Sequence, residues 1–298
     1  MQVCLIQVPY AMGNEHDGGS KGPQHYVQAG AQKLLEAWGL AVTTECVERS
    51  TPFRDTASAS SAVNTQLDRL VQQAIAAEQL PLVLAGSCDT SLGILAGFEH
   101  AHCGVVWFDA HGDFNTPEST VSGFFAGMSL AVITGHCYRN FWAQIGESTP
   151  IAEAATLLLG VRDLSPAAER ERLHHSAIQV VNWHEGKPQA DVLACLDTLA
   201  KRVQEVYLHI DLDALDPQVA PGLVDAPVQG GLSMPQMEEA IRAVAARFRL
   251  RAVALATYNP DCDQDEKTLR AGLRIMELLA ECASLGARRA AIMEGRNA

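Results

Sequence analysis

The feature that most restricts the fold of this chain is a series of short, unbroken apolar runs rich in β-branched residues. They lie at residues 3–8, 42–47, 82–85, 104–108, 155–160, 178–182, 206–210 and 252–256. Several lack the polar alternation of a strand with one wet face. Such runs predict strands buried on both sides, as in parallel sheets. Helical patterns separate them. Residues 24–38 place Val27, Ala31, Leu34 and Leu35 on one face, and residues 62–77 do the same with Val63, Leu67, Leu70, Val71 and Ile75. Helices are also expected over 191–203 and 234–246, the second opened by Ser233 and Gln236 at capping-box spacing. A long helix over 267–285 is expected to close at Gly286. This alternation predicts an α/β fold: a three-layer α-β-α sandwich around a mostly parallel sheet of about eight strands. No repeat or linker interrupts residues 1–298, which read as a single domain, and the Pro/Gly-rich stretch 216–231 reads as a functional loop.

Charge narrows the function. Lys and Arg number 22 against 35 Asp and Glu, a net charge of −13. That balance argues against nucleic acid and anionic membrane surfaces as partners and leaves a small-molecule substrate or a metal. The N-terminus lacks a basic segment before its apolar stretch, and no apolar run approaches bilayer length, so no targeting or spanning segment is expected. Eight scattered cysteines without a CxxC pair read as reduced thiols of a cytoplasmic protein.

Two motifs carry the chemistry. Asp109-Ala-His111-Gly-Asp113 follows the run GVVWF, and Asp211-Leu-Asp213 follows VYLHI, with Asp216 nearby. Residues two apart in an extended chain point the same way, so both motifs deliver ligand-type side chains to strand carboxyl ends, where open α/β sheets place their sites. Four aspartates and a histidine cannot be buried together without a cation. Ligands this hard suit Mn²⁺ best and Mg²⁺ or Fe²⁺ less well, with Zn²⁺ remaining open. Such a metal would generate hydroxide near neutral pH, and a pair of ions roughly 3.5–4 Å apart would do so best.

The chain resembles the ureohydrolases: arginase, agmatinase, formiminoglutamase and their relatives. The resemblance rests on KGP at Lys21, LAGSCDTSLG at Leu84, WFDAHGDFNTP at Trp107, SGFFAGMSLA at Ser122, GVRD at Gly160, HIDLDALDP at His209, GGLS at Gly230 and ATYNPDCD at Ala256. It implies a manganese-dependent hydrolase of linear C–N bonds with one or two Mn²⁺, often a homo-oligomer. Asp109 and Asp211 would bridge both ions, Asp113 would hold the first, and His111 with Asp213 the second. Asp113 would also orient the bridging hydroxide that attacks the substrate's planar carbon. Asn115, Thr120 and Ser122 match the spacing with which arginases bind the substrate carboxylate.

Four positions depart from the family pattern. Cys88 replaces a metal-binding histidine, as in the Nω-hydroxyarginine amidinohydrolases, and is taken as a candidate ligand. Ala126 replaces a histidine that shuttles protons, so the leaving group must be less basic or take its proton from solvent. Thr257 replaces a glutamate that grips the guanidinium, for which Tyr258, Asp261 or Asp263 could substitute. Ser165 replaces an aspartate at the α-amino group. Thr257 and Ser165 are kept as substrate-binding candidates. Three readings follow: an amidinohydrolase of a guanidino or N-hydroxyguanidino amino acid such as Nω-hydroxyarginine or arginine, an enzyme of the same fold acting on an amide or formimino compound, or a metal-binding member without turnover. His209, two residues before Asp211, reads as a partner behind the ligands, whereas His100, His102, His136, His174, His175 and His184 read as surface or capping residues.

Overall fold

A computed structural model describes residues 2–48, 55–223 and 227–294. Nine strands form one sheet: β1 (Gln2–Val8), β2 (Ala41–Cys46), β3 (Gln79–Ala85), β4 (Cys103–Phe108), β5 (Thr156–Val161), β6 (Gln179–His184), β7 (Lys187–Pro188), β8 (Glu205–Asp211) and β9 (Arg249–Ala256). Their order is β2-β1-β3-β9-β8-β4-β5-β6-β7. Every pairing is parallel except β6 with β7. All eight expected strands are present. The ninth is a two-residue edge segment turned back on β6, too short to leave a pattern in sequence.

Helices cover both faces. α1 (Gly22–Gln28), α2 (Ala31–Ala37), α8 (Val192–Ala200), α9 (Met234–Arg247) and α10 (Lys267–Glu294) pack on one side. α3 (Thr56–Ala76), α4 (Ser91–Ala96), α5 (Ser129–Ile133), α6 (Arg139–Trp142) and α7 (Ala167–His175) pack on the other. In β4, Val106 and Phe108 join the first core while Val105 and Trp107 join the second. That double burial explains the unbroken apolar run. No helix among the described residues is long and apolar enough to cross a membrane.

Helix ends hold the differences from expectation. The helix foreseen over 24–38 is two helices, because Gly30 takes φ 96° and stops the first. α3 starts earlier, at Thr56, where the Asp55 side chain accepts from Ser58 N at 2.8 Å. α9 starts as expected, with Ser233 N donating to Gln236 Oε1 at 2.8 Å. α10 runs through Gly286 to Glu294. A glycine stops a helix only when it turns left-handed, and otherwise merely weakens it. His100 is not a surface residue: it is 1% exposed, stacked on Trp142, with ring nitrogens 3.0 and 2.6 Å from the carbonyl oxygens of Phe98 and Thr149.

Candidate metal centre

The sheet register assembles the site. Phe108 of β4 pairs with Ile210 of β8, so Asp109 and Asp211 emerge side by side at the carboxyl edge. On the other flank of β8, Ala256 of β9 pairs with Asp211 and also with Ala85 of β3. Thr257 and the turn bearing Cys88 therefore complete the wall. The chain passes from β3 to β4 over β9 and β8, which enter later, and the crevice at such a crossing is where open α/β sheets bind ligands.

Asp109, Asp113, Asp211 and Asp213 are each no more than 6% exposed. Asp109 Oδ2 accepts from Trp107 Nε1 at 3.0 Å and Oδ1 from His111 N at 2.7 Å. Asp213 Oδ1 accepts from Ala110 N at 2.9 Å, and its Oδ2 lies 2.8 Å from His111 Nδ1. Asp211 Oδ1 accepts from Asp213 N at 2.8 Å and from the Thr257 hydroxyl, while Oδ2 takes the Cys88 thiol at 3.0 Å. Asp113 Oδ2 is buried with no partner. Two residues here have left-handed backbone, Asp113 at φ 46° and Thr257 at φ 69°. For a β-branched threonine that conformation is an outlier costing about 1–3 kcal/mol, the kind of strain that collects at functional sites.

The electrostatics describe a cluster short of positive charge. Burial, then the charges of Asp109 and Asp211, holds the Asp113 carboxyl well above its ordinary range. Burial and the neighbouring Asp213 and Asp109 do the same to Asp211. Burial and Asp213 push Asp109 up to about 6 against the opposing pull of His111. Burial also pushes Asp213 up, but the bond to His111, the imidazolium charge and the Ala110 N–H together outweigh this and hold it low. Burial would lower His111, yet its contacts with Asp109 and Asp213 raise it. One imidazolium cannot neutralise four carboxylates, and a divalent cation can. Two donor sets have ligand atoms within 4.8 Å of one another: Cys88, Asp109 and Asp211, and Asp109, His111 and Asp213. The orphaned Asp113 oxygen and this donor chemistry fit a hard divalent ion.

Beside the cluster lies a cavity of about 410 Å³, lined by His111, Asp113, Asn115, Thr120, Ser122, Phe124, Gly127, Asp163, Ser165 and Glu169. Four expected substrate residues thus share one wall. Thr120 and Ser122 cap their own loop, accepting from Gly123 N at 3.0 Å and Phe124 N at 3.2 Å, and Asn115 Nδ2 donates to Ser165 O at 3.3 Å. Thr257 does not line the cavity and turns its hydroxyl to Asp211. Tyr258, Asp261 and Asp263 are not there either. Tyr258 bonds His25 and Asp263, Asp261 pairs with Lys21, and Asp263 caps Thr268 and Leu269.

Sequence reasoning missed Glu169 and Trp107. Glu169 is buried, accepts from Phe114 N at 2.9 Å and so fixes the turn that presents Asp113. Burial pushes it up to about 7. Only its place at the start of α7, after the GVRD segment, could have signalled it. Trp107 reads as core, but its indole N–H holds Asp109. Behind it, His209 stacks on Trp107 at 3.7 Å, bonds Tyr207 Oη through Nδ1 at 2.7 Å, and is pushed down to about 3 by burial.

The family model described as Arginase family matches residues 1–281. The arginase of Brevibacillus brevis is 30% identical over 288 residues, covering 92% of this chain and 96% of that protein. The N(omega)-hydroxy-L-arginine amidinohydrolase of Streptomyces lavendulae is 29% identical over 273 residues, 91% and 88% of the two chains. The structure of arginase from Bacillus caldovelox superposes with a TM-score of 0.84 at 29% identity, covering 94% of this chain and 97% of that one.

Proposed function

This chain belongs to the arginase family of hydrolases, and from that premise we propose that it is a manganese-dependent hydrolase of linear C–N bonds acting on an N-hydroxyguanidino or guanidino amino acid such as Nω-hydroxyarginine. The observation that carries the reading is the buried, unpartnered Asp113 Oδ2 inside a cluster of three further carboxylates and His111. Cys88, Asp109 and Asp211, with Asp113, would hold one cation, and Asp109, His111 and Asp213 the other. A divalent cation held there supplies Lewis acidity and water activation at neutral pH.

The chain's own residues supply the rest. Asp113 borders both the cluster and the cavity, so the carboxylate oxygen not given to the cation can orient the attacking water and accept its proton. The hydroxyls of Thr120 and Ser122 accept from backbone N–H groups, which leaves their protons for a substrate carboxylate. Asp163 and Glu169 stand on the same wall for an α-ammonium group, although Ser165 brings no charge. Asn115 ties the two rims together through Ser165 O.

The departures set the substrate. Ala126 is apolar and buried, so no side chain at that position protonates the leaving group. Thr257 is committed to Asp211 and offers no carboxylate to a guanidinium. N-hydroxylation makes the guanidine less basic, so that substrate depends less than arginine's guanidinium on a carboxylate at position 257, which favours the N-hydroxylated substrate over arginine. The same Thr257 orientation supports a second reading, an amide or formimino substrate.

The test is release of hydroxyurea from Nω-hydroxyarginine, and of urea from arginine and agmatine, by the Mn²⁺-loaded protein. The expected order is Nω-hydroxyarginine ahead of arginine by about 10-fold or more, the lower range of what a hydrogen bond to a charged group contributes. Agmatine, without a carboxylate, should be poorest. Metal-loaded protein that releases neither hydroxyurea nor urea but hydrolyses formimino or amide compounds would support the second reading, and no turnover of either class would refute both.

A further inference from the structure

Cys88 divides the centre into two chemically unlike corners. His111 Nδ1 and carboxylate oxygens form one, and the Cys88 thiol joins Asp109 and Asp211 in the other, with only Asp109 common to both donor sets. Resting on the reading that this cluster holds metal, we infer that the centre is built for two different cations: a hard one of the Mn²⁺ class beside His111 and a thiophilic one of the Zn²⁺ class beside Cys88.

Three observations lead there. First, Cys88 is 4% exposed and borders the apolar core, yet its sulfur sits 3.0 Å from Asp211 Oδ2. Packing alone does not account for a thiol set against that carboxylate. Second, Asp211 is oriented. Its Oδ1 is occupied by Asp213 N and the Thr257 hydroxyl, so Oδ2 is the oxygen left for a cation, and it is the one beside the thiol. The left-handed strain at Thr257 maintains that orientation, which makes Thr257 a positioning residue for the metal ligand. Third, Asp113, whose Oδ2 is buried without a partner, lies near enough for its charge to act on the thiol together with those of Asp211 and Asp109. One sulfur and several carboxylate oxygens form a donor set for Zn²⁺, Cd²⁺ or Co²⁺. Mn²⁺, the weakest binder of the first-row series and a hard ion, gains little from sulfur. A cation entering this corner displaces the thiol proton to solvent and bonds the sulfur.

The experiment uses the metal-free full-length protein with Cd²⁺ and Co²⁺ as probes, alone and after loading with one equivalent of Mn²⁺. The expected result is one equivalent of Cd²⁺ or Co²⁺ bound with a near-ultraviolet thiolate-to-metal absorption band, while the Mn²⁺ resonance signal persists. Cys88→Ser should lose the band and lower Cd²⁺ affinity by more than about 100-fold, beyond the range produced by changes outside the ligand shell, and should leave Mn²⁺ affinity within about threefold. Thr257→Val should weaken Cd²⁺ binding about 10- to 100-fold, with recovery in Thr257→Ser. Cd²⁺ bound by the wild type without a thiolate band overturns the inference without recourse to any variant, and so does unchanged Cd²⁺ affinity in Cys88→Ser. Mn²⁺ binding with no thiolate band leaves the proposed function standing and removes only the mixed centre. Failure to bind any divalent ion removes both.

Discussion

Replacing Asp113 with Asn should make the metal-free protein more stable and the metal-loaded protein less so. In the metal-free fold, Asp113 is 6% exposed, its Oδ2 lacks a partner, and the charges of Asp109 and Asp211 oppose its ionisation. An unsatisfied buried group of this kind costs about 1–3 kcal/mol, and more when charged. Because the folded carboxyl titrates above its ordinary range, its contribution to stability is present at low pH and is lost as pH rises. Asparagine has nearly the same shape and no charge. At pH 8 in EDTA the variant should therefore exceed the wild type by about 1–3 kcal/mol. Near pH 4, where the wild-type group keeps its proton, the gap should close. With Mn²⁺ the order reverses. A ligand present at about 1,000 times its dissociation constant adds about 4.1 kcal/mol, and a variant lacking this carboxylate loses most of that gain. Thermal unfolding at the two pH values, each with EDTA and with Mn²⁺, reads all four quantities. A variant less stable than wild type in EDTA at pH 8, yet equally stabilised by Mn²⁺, would refute the argument that Asp113 is held for a cation.

Two further outcomes follow from the same cluster. Asp109 at about 6 and Glu169 at about 7 both titrate above their ordinary carboxylate values. Their contribution is complete below the unfolded range and lost as pH rises through 6–7, so the metal-free protein should lose stability between about pH 4 and 7. His209, pushed down to about 3, works in the opposite sense but is a single group. Denaturant melts in EDTA would show the decline, and Mn²⁺ affinity should rise over the same window because the ligands bind deprotonated; a flat profile for both would contradict the assignment. Trp107→Phe keeps the ring and removes the indole donor to Asp109. It should lower Mn²⁺ affinity about 10- to 100-fold, measured by calorimetric titration, and unchanged affinity would mean that the indole does not orient this ligand.

Much of this was legible in the sequence because strand burial and metal chemistry leave local marks. Unbroken apolar runs located eight strands, and the two aspartate motifs at their ends located the centre, since both depend on adjacent residues. What stayed hidden depends on conformation or distant contacts. Gly30 divides a helix by its φ, whereas Gly286 lies inside one, and the residue type is the same. Thr257 stands where a substrate contact is expected, but its left-handed backbone turns the hydroxyl to the Asp211 carboxylate. Glu169 reaches the Asp113 turn across 55 residues of chain and carries no motif. His100 is polar and lies in an irregular segment, yet it is enclosed by Trp142 and two carbonyl groups from separate segments.

The most direct measurement is a crystal structure of the protein grown with Mn²⁺, with anomalous scattering recorded at the manganese edge. The account predicts a manganese peak bounded by Asp109, His111 and Asp213. No anomalous peak among these side chains, or manganese bound only at surface carboxylates, would contradict it.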